Sequence, residues 1–227
     1  MNPHTQMDVD EFFNVLFDRL EKQLVGKPGE NIFKECFGGK IMQEIKSFEC
    51  PHVSTREENY FALQLEVKGK SNIYDSLATY VEGENLDGDN KYFCGVEGCM
   101  REVDALKRSC IKELPNSLIM HLKRFDFDME TLQRIKLNDY FEFPHELDLT
   151  PYTLDFIHEK EAGGNPETNK HMYKLSGVLV HAGTADSGHY YSFIRDRDGN
   201  QWIHFNDSNV PFLYIKYHAN NRLNSLT

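Results

Sequence analysis

The apolar positions near the start of the chain predict an amphipathic helix. Side chains three and four residues apart share one face of a helix. The apolar set at this spacing is Val9, Phe12, Phe13, Leu16 and Leu20. Asp8 precedes the set, and Glu11 follows Asp8 by three residues, in the order of a capping box. We therefore expect a helix from Asp8 to about Leu24, ended by the glycines and proline of residues 26–29.

From residue 31 to residue 114 the pattern changes to short strands. Apolar residues alternate with polar ones over residues 61–67, which is the two-residue period of a strand with one buried face. Residues 71–81 are typical of a short helix. Residues 92–99 have the form of a knuckle, and a further strand is expected over residues 105–114.

The second half of the chain contains several short apolar runs of strand length. The predicted strands are 118–122, 175–180, 190–194 and 202–205. Residues 158–171 lack an apolar period, so we expect an exposed, mobile loop there.

Composition and charge narrow the class of protein. The 227 residues carry a net charge of −11, which argues against a nucleic-acid backbone as partner. The sequence has no apolar run long enough for a membrane span. The first residues resemble no signal peptide, and the five cysteines are an odd number, so we expect a reducing compartment, cytoplasmic or nuclear.

The most informative segment is a predicted hairpin that contains His189. Asp198-Gly199 between two strand runs is a strong signal for a tight turn. Counting residues across such a turn places His189 beside Asn206 and Asp207 on the neighbouring strand. A histidine oriented by an amide or carboxylate is a base that accepts a proton from a nucleophile. The alternative is an ordinary hairpin that contains a histidine with no catalytic role.

Several further segments occur in the order seen in one enzyme family. The matching segments are Gln6–Phe12, Phe37–Gly39, Leu114–Pro115, Leu122–Phe125, Val178–Gly183, Gly188–Phe193 and Trp202–Asp207. Together they resemble the ubiquitin-specific proteases, which are papain-like cysteine deubiquitinases. Residues 138–144 and 149–153 are most similar to the very large, fat-facets-like members.

The resemblance implies a fold class, a domain organisation and a reaction. The fold would be α+β and papain-like, with fingers and palm present and the thumb mostly missing. Residues 1–30 would be a remnant of a thumb helix, residues 31–113 the fingers, and residues 114–227 the palm with the histidine box. The reaction would be hydrolysis after the C-terminal glycine of ubiquitin, with ubiquitin and ubiquitinated proteins as partners.

The same resemblance implies roles for the residues of the predicted hairpin. His189 would be the general base, Asn206 would orient its ring, and Asp207 would be a possible helper. The family's cysteine box lies upstream of the segment that matches Gln6–Phe12, and none of the five cysteines here has its flanking residues. We therefore expect the chain to be a fragment of a longer enzyme that is inactive alone. The alternative is a catalytically inactive pseudo-protease that binds ubiquitin.

Two acidic residues at the predicted helix start match family positions that face the basic tail of ubiquitin. Asp8 and Glu11 would attract and hold that tail by opposite charge. The alternative is that they only cap the helix and complement its dipole. Both roles are compatible.

The resemblance also implies a structural zinc site in the fingers. Its ligands would be Cys50, His52, Cys94 and Cys99, with the spacings Cys-x-His and Cys-x4-Cys instead of two Cys-x-x-Cys pairs. The alternative is a degenerate finger with free thiols. A zinc-ribbon nucleic-acid binder is disfavoured, because the chain is acidic and has no basic stripe.

Overall fold

The structure is a computed structural model, and it describes residues 8–197 and 201–213 of the chain. Four α-helices occur in these residues: α1 (Val9–Leu24), α2 (Ile32–Phe37), α3 (Ile73–Glu82) and α4 (Leu154–Glu161). None of these helices has the length and apolar content needed to cross a membrane.

Helix α1 begins where the capping pattern predicts. The Asp8 carboxylate accepts hydrogen bonds from the backbone N–H groups of Asp10 and Glu11, at 2.9 and 3.3 Å. Phe17 is buried, and its ring lies 5.5 Å or less from four other rings. These rings belong to Phe13, Phe33, Phe37 and Phe61.

The apolar stripe of α1 is only partly buried. Phe12 and Leu20, which the sequence pattern places on the same face, are 42% and 37% exposed. The apolar arc of the helix is therefore wider than the surface that the described residues cover.

Four strands of the first half form an antiparallel sheet, and two further short strands form a separate hairpin. The sheet has the order β2-β1-β7-β4. Its strands are β1 (Gly39–Ser47), β2 (Val53–Tyr60), β4 (Glu84–Leu86) and β7 (Ala105–Glu113), with β3 (Ala62–Glu66) in a separate pair. The hairpin consists of β5 (Tyr92–Cys94) and β6 (Arg101–Val103).

The strands of the second half form one larger sheet and several pairs. The paired strands are β8 (Ile119–Lys123), β9 (Phe125–Asp128), β10 (Gln133–Lys136), β11 (Glu146–Asp148) and β12 (Met172–Lys174). The larger sheet is β13 (Gly177–Gly183), β14 (Gly188–Arg195), β15 (Trp202–Phe205) and β16 (Phe212–Leu213), in that order.

One pairing joins the two halves of the chain. Strand β3 lies within the predicted fingers, but it pairs in parallel with β8 of the predicted palm. Leu65 of β3 and Leu77 of α3 are fully buried in the main core, together with Leu149 from the second half. The predicted boundaries at residues 30 and 113 stay predictions.

Helix α4 (Leu154–Glu161) extends into residues 158–171, which the sequence predicted to be a mobile loop, so that prediction is wrong for residues 158–161. Two ion pairs hold its last turn. Arg108 of β7 binds the Glu161 carboxylate at 2.5 and 3.2 Å, and Lys46 binds the same carboxylate at 3.2 Å. Arg108 also binds the buried Glu44 at 2.9 Å. These partners are far away in the sequence, so a local apolar period does not report them.

Candidate active site

The predicted histidine hairpin is present in the structure. Strand β14 pairs with β15 antiparallel, with Ser192 opposite Phe205 and Arg195 opposite Trp202. The predicted turn at Asp198-Gly199 lies outside the described residues. The pairing brings the start of β14 toward the residues that follow β15, as the residue count predicts.

His189 and Asn206 are in direct contact. The Nε2 atom of His189 lies 2.6 Å from the Oδ1 atom of Asn206. Asn206 is held in a tight turn, in which its backbone N–H and C=O both pair with Asn209, at 3.1 and 2.9 Å. Because a carbonyl oxygen only accepts, this contact requires the proton on Nε2, so in the neutral ring Nδ1 carries the basic lone pair.

Asp207 stands beside this pair without joining it closely. Its Oδ2 atom is 3.9 Å from His189 Nε2, and its side chain is 82% exposed. Its backbone has a φ of 49°, in the left-handed region that a tight turn requires. The position suits a weak electrostatic helper better than a direct ligand of the ring.

The loop that leads into His189 is built on two glycines. Gly183 has a φ of 130°, and a Cβ at Gly188 would lie 2.1 Å from His181 Nε2. The Lys136 ammonium donates to the carbonyl oxygens of His181 and Gly183, at 2.8 and 3.2 Å. Burial, followed by the charge of Arg124, lowers the pKa of Lys136. The histidine hairpin is thus held against β10.

An open groove of about 670 Å³ runs past the beginning of β14. Asp8, Tyr190 and Gly188 are among its lining residues. The hydroxyl of Tyr190 donates to Asp8 Oδ2 at 3.2 Å, so the Asp8 carboxylate both caps α1 and faces the groove. Glu11 is exposed on the first turn of α1 but is not among the residues that line the groove.

Two further groove residues form a pair that the sequence did not reveal. Asp10 Oδ1 lies 3.3 Å from Nδ1 of His121, a residue of β8, and 3.5 Å from Nε2 of Gln64. The only sequence signal was the position of Asp10 on the same first turn as Asp8. His121 reaches Asp10 because β8 runs alongside β3, which carries Gln64.

The cysteines lie on elements other than the histidine hairpin. Cys36 belongs to α2, and Cys110 is buried on β7, where burial raises the pKa of its thiol to about 11. The other three are brought together: the thiols of Cys50, Cys94 and Cys99 all lie within 4.8 Å of one another. This group could hold a metal ion.

The surroundings of Cys50 favour the deprotonated form of its thiol. The hydroxyl of Ser47 and the backbone N–H of His52 form hydrogen bonds to the Cys50 thiol and lower its pKa to about 7. Cys94 is fully buried. The His52 side chain is not part of the three-thiol group, so the structure brings together three of the four predicted ligands.

The comparisons with known proteins agree on one family. The family model described as ubiquitin carboxyl-terminal hydrolase matches residues 1–214. Human ubiquitin carboxyl-terminal hydrolase 9Y is 39% identical over 92% of this chain. The probable ubiquitin carboxyl-terminal hydrolase FAF of Drosophila melanogaster is 36% identical over 92%.

A solved structure is similar to this chain in fold and in sequence. It is the SAGA Ubp8/Sgf11/Sus1/Sgf73 DUB module bound to ubiquitin aldehyde, with a TM-score of 0.79 and 30% identity over 92% of this chain. The present chain spans 46% of the matched chain in that structure, 9% of the human relative and 8% of the fly relative. The predicted family and the α+β, papain-like fold class are confirmed: the chain belongs to the ubiquitin carboxyl-terminal hydrolase family.

Proposed function

We propose that this chain is part of a thiol-dependent deubiquitinase, which hydrolyses the isopeptide or peptide bond after the C-terminal glycine of ubiquitin. The observation that carries the proposal is the 2.6 Å contact between His189 Nε2 and Asn206 Oδ1. It gives the imidazole the tautomer and orientation of a general base. The solved relative bound to ubiquitin aldehyde supports ubiquitin as the partner.

The proposed reaction uses Nδ1 of His189, the ring nitrogen that does not face Asn206. Nδ1 accepts the proton of a cysteine thiol, and the thiolate attacks the carbonyl carbon of the scissile bond. The C–N bond then breaks, and the leaving amine takes the proton from Nδ1. Water hydrolyses the resulting thioester with the same nitrogen as base. Asn206 carries no charge, so it orients the ring and does not neutralise the imidazolium.

The nucleophile would come from a segment upstream of this chain in the longer protein. A ubiquitin derivative with a C-terminal vinyl electrophile tests this directly. We expect no labelling of this chain alone and labelling of a longer polypeptide that includes the upstream cysteine box. In that polypeptide His189→Ala abolishes turnover and retains ubiquitin binding, whereas His171→Ala, at an exposed histidine, leaves turnover unchanged.

Two results would contradict the proposal. Failure of the longer polypeptide to label, although it contains the cysteine box and binds ubiquitin, would favour the inactive ubiquitin-binding alternative. Full turnover by its His189→Ala variant would remove His189 from the mechanism.

The three-thiol group supports structural zinc as a cofactor. Zinc with four ligands at about 2.3 Å in a tetrahedron places neighbouring sulfurs about 3.8 Å apart. Cys50 Sγ and Cys94 Sγ are 3.7 Å apart, which suits two ligands of one zinc ion, and Cys99 supplies a third sulfur within 4.8 Å of both. Bound zinc would join the turn after β1 to the β5–β6 hairpin and supply no reaction step. Elemental analysis of the purified chain should find about one equivalent, and less than half an equivalent would end the idea.

A further inference from the structure

The ladder between β13 and β14 holds the backbone of His189 by hydrogen bonds to Ala182. At the turn end of this ladder the N–H of Thr184 donates to the carbonyl of Ser187 at 2.8 Å, and at the other end residues 195 and 176 are bonded at 2.8 Å. Hydrogen-bonded pairs alternate with pairs that exchange no bond in an antiparallel ladder. Counting inward from either end of the observed register makes Ala182 and His189 a hydrogen-bonded pair.

The carbonyl groups on either side of Ala182 therefore point to the outer edge of β13. They belong to His181, opposite Tyr190, and to Gly183, opposite Gly188, and these pairs exchange no hydrogen bond. In the part of the chain that the structure describes, β13 is an edge strand of its sheet. Its outward carbonyl oxygens therefore accept from donors other than a neighbouring strand.

Lys136 of β10 is the donor to both of these outward carbonyls. Its ammonium lies 2.8 Å from the oxygen of His181 and 3.2 Å from that of Gly183. Among the described residues these two oxygens are its only hydrogen-bond acceptors. One side chain thus spans the two neighbours of Ala182 and restrains the strand position that bonds His189.

The base of the β9–β10 hairpin is an anchored support for Lys136. Lys136 pairs there with Phe125. Next to this pair, the N–H of Leu137 donates to the carbonyl of Arg124 at 2.7 Å, and the Arg124 guanidinium donates to the carbonyl of Leu137 at 2.9 Å. The Phe125 ring also meets the His181 ring edge-on, with centroids 5.2 Å apart. The contact with β13 is therefore made from the fixed end of the hairpin and not from its tip.

We propose that Lys136 is a positioning residue for His189, which it holds in place through the backbone of β13. The inference rests on the proposed function and goes beyond it, because it gives Lys136 a part in catalysis without contact with the substrate. Without the ammonium the outer edge of β13 loses both donor bonds, and the pair of Ala182 with His189 opens more often. Because a displacement of about 1 Å is enough to slow an enzyme strongly, the base then spends less time in its working position.

Amide hydrogen exchange of the purified chain tests the positioning without a nucleophile. Lys136→Met keeps the apolar stem but loses the donors, so the His189 amide should exchange at least about tenfold faster. The Phe193 amide, in a bonded pair further along the ladder, should keep its protection and so report that the sheet is folded. Lys136→Arg retains charge and donors and should restore slow exchange. Lys174→Met, at a side chain that is 73% exposed, is the matched control and should change neither amide.

Turnover by the longer polypeptide with the cysteine box tests the consequence for catalysis. Lys136→Met should lower kcat at least about tenfold and leave KM within about twofold, because the base is displaced while the substrate contacts remain. Lys136→Arg should recover most of the lost kcat, and Lys174→Met should retain all of it.

The possible outcomes separate this assignment from the proposed function. Unchanged exchange at His189 in Lys136→Met would overturn the assignment, whatever the turnover. A higher KM with an unchanged kcat would make Lys136 a substrate contact, and faster exchange with an unchanged kcat would remove it from catalysis; either result overturns the proposal. Faster exchange at His189, in a protein whose longer form never cleaves ubiquitin, would support the positioning by Lys136 and overturn the deubiquitinase.

A second variant covers the case in which Lys136→Met loses protection throughout the sheet. Lys136→Gln keeps an N–H donor and should accelerate exchange at His189 by a smaller factor, with Phe193 still protected. Equal exchange at His189 in Lys136→Gln and the natural chain, together with an equal kcat, would then overturn the proposal.

Discussion

His189 Nε2 lies 2.6 Å from Asn206 Oδ1, and this contact determines which ring nitrogen carries the proton. A carbonyl oxygen accepts and does not donate, so the ring carries its proton on Nε2. The tight turn that pairs Asn206 with Asn209 holds the amide in place. Backbone hydrogen bonds therefore position both partners: strand pairing places His189 opposite Ala182, and the turn places Asn206.

Removal of the Asn206 amide should release the tautomer of His189. In Asn206→Ala we expect nitrogen NMR of the neutral ring to show a mixture of Nε2–H and Nδ1–H forms, whereas the natural chain shows the Nε2–H form. In a longer polypeptide that supplies the thiol, turnover should fall on the order of 100-fold. Asn206→Asp is the control that retains the acceptor. An unchanged tautomer in Asn206→Ala would remove Asn206 from the orienting role.

Gly188 is expected to tolerate no side chain. A Cβ there would lie 2.1 Å from His181 Nε2 and 2.5 Å from the backbone oxygen of Ala182. Relief requires the start of β14 to move, so Gly188→Ala should lower the free energy of unfolding by about 1–3 kcal/mol. Gly95→Ala, where the nearest atom is 3.8 Å away, is the matched control. Urea denaturation of both variants measures the difference, and equal stabilities would refute the clash.

The ion pair at the end of α4 should make stability depend on pH. Arg108, and then Lys46, lower the pKa of Glu161 from 4.5 to about 2. A carboxyl whose folded pKa is depressed stabilises the fold above the unfolded pKa and loses that contribution as pH falls toward the folded pKa. We therefore expect the free energy of unfolding to decrease between about pH 5 and pH 2.

Two variants separate this contribution from general acid unfolding. Glu161→Gln should flatten part of the decrease, because the amide does not titrate. Glu159→Gln, at an exposed position on the same helix, should leave the profile unchanged. Parallel profiles for Glu161→Gln and the natural chain would show that the pair contributes nothing.

The histidine hairpin was predictable because its geometry is local. Counting across a tight turn brought His189 near residues 206–207. The observed register, with Ser192 opposite Phe205, continues to Ser208 opposite His189, and Asn206 contacts the ring from the turn in which it pairs with Asn209. Helix α1 followed from its capping residue and its apolar spacing for the same reason. The resemblance to the family supplied the chemistry, which no spacing reveals by itself.

The features that were not predicted depend on contacts between distant residues. Helix α4 is held by Glu161 bound to Arg108, 53 residues away in the sequence. Asp10 meets His121 only because β3 and β8 run side by side. Sequence periodicity reports which face of an element is apolar, but not which element lies against it.

Asp8 allows its two proposed roles to be separated. As the N-cap of α1, its Oδ1 accepts backbone N–H groups, and Oδ2 accepts the Tyr190 hydroxyl in the groove. Asn at this position keeps a capping oxygen but loses the charge, whereas Ala loses both. We expect Asp8→Asn to unfold within about 0.5 kcal/mol of the natural chain and Asp8→Ala to lose about 1 kcal/mol. If the Asp8 charge holds a basic ubiquitin tail, Asp8→Asn should still weaken ubiquitin binding severalfold, and more so at low salt. Binding measured by calorimetry at two salt concentrations decides: an affinity equal to that of the natural chain at both would reduce Asp8 to a helix cap.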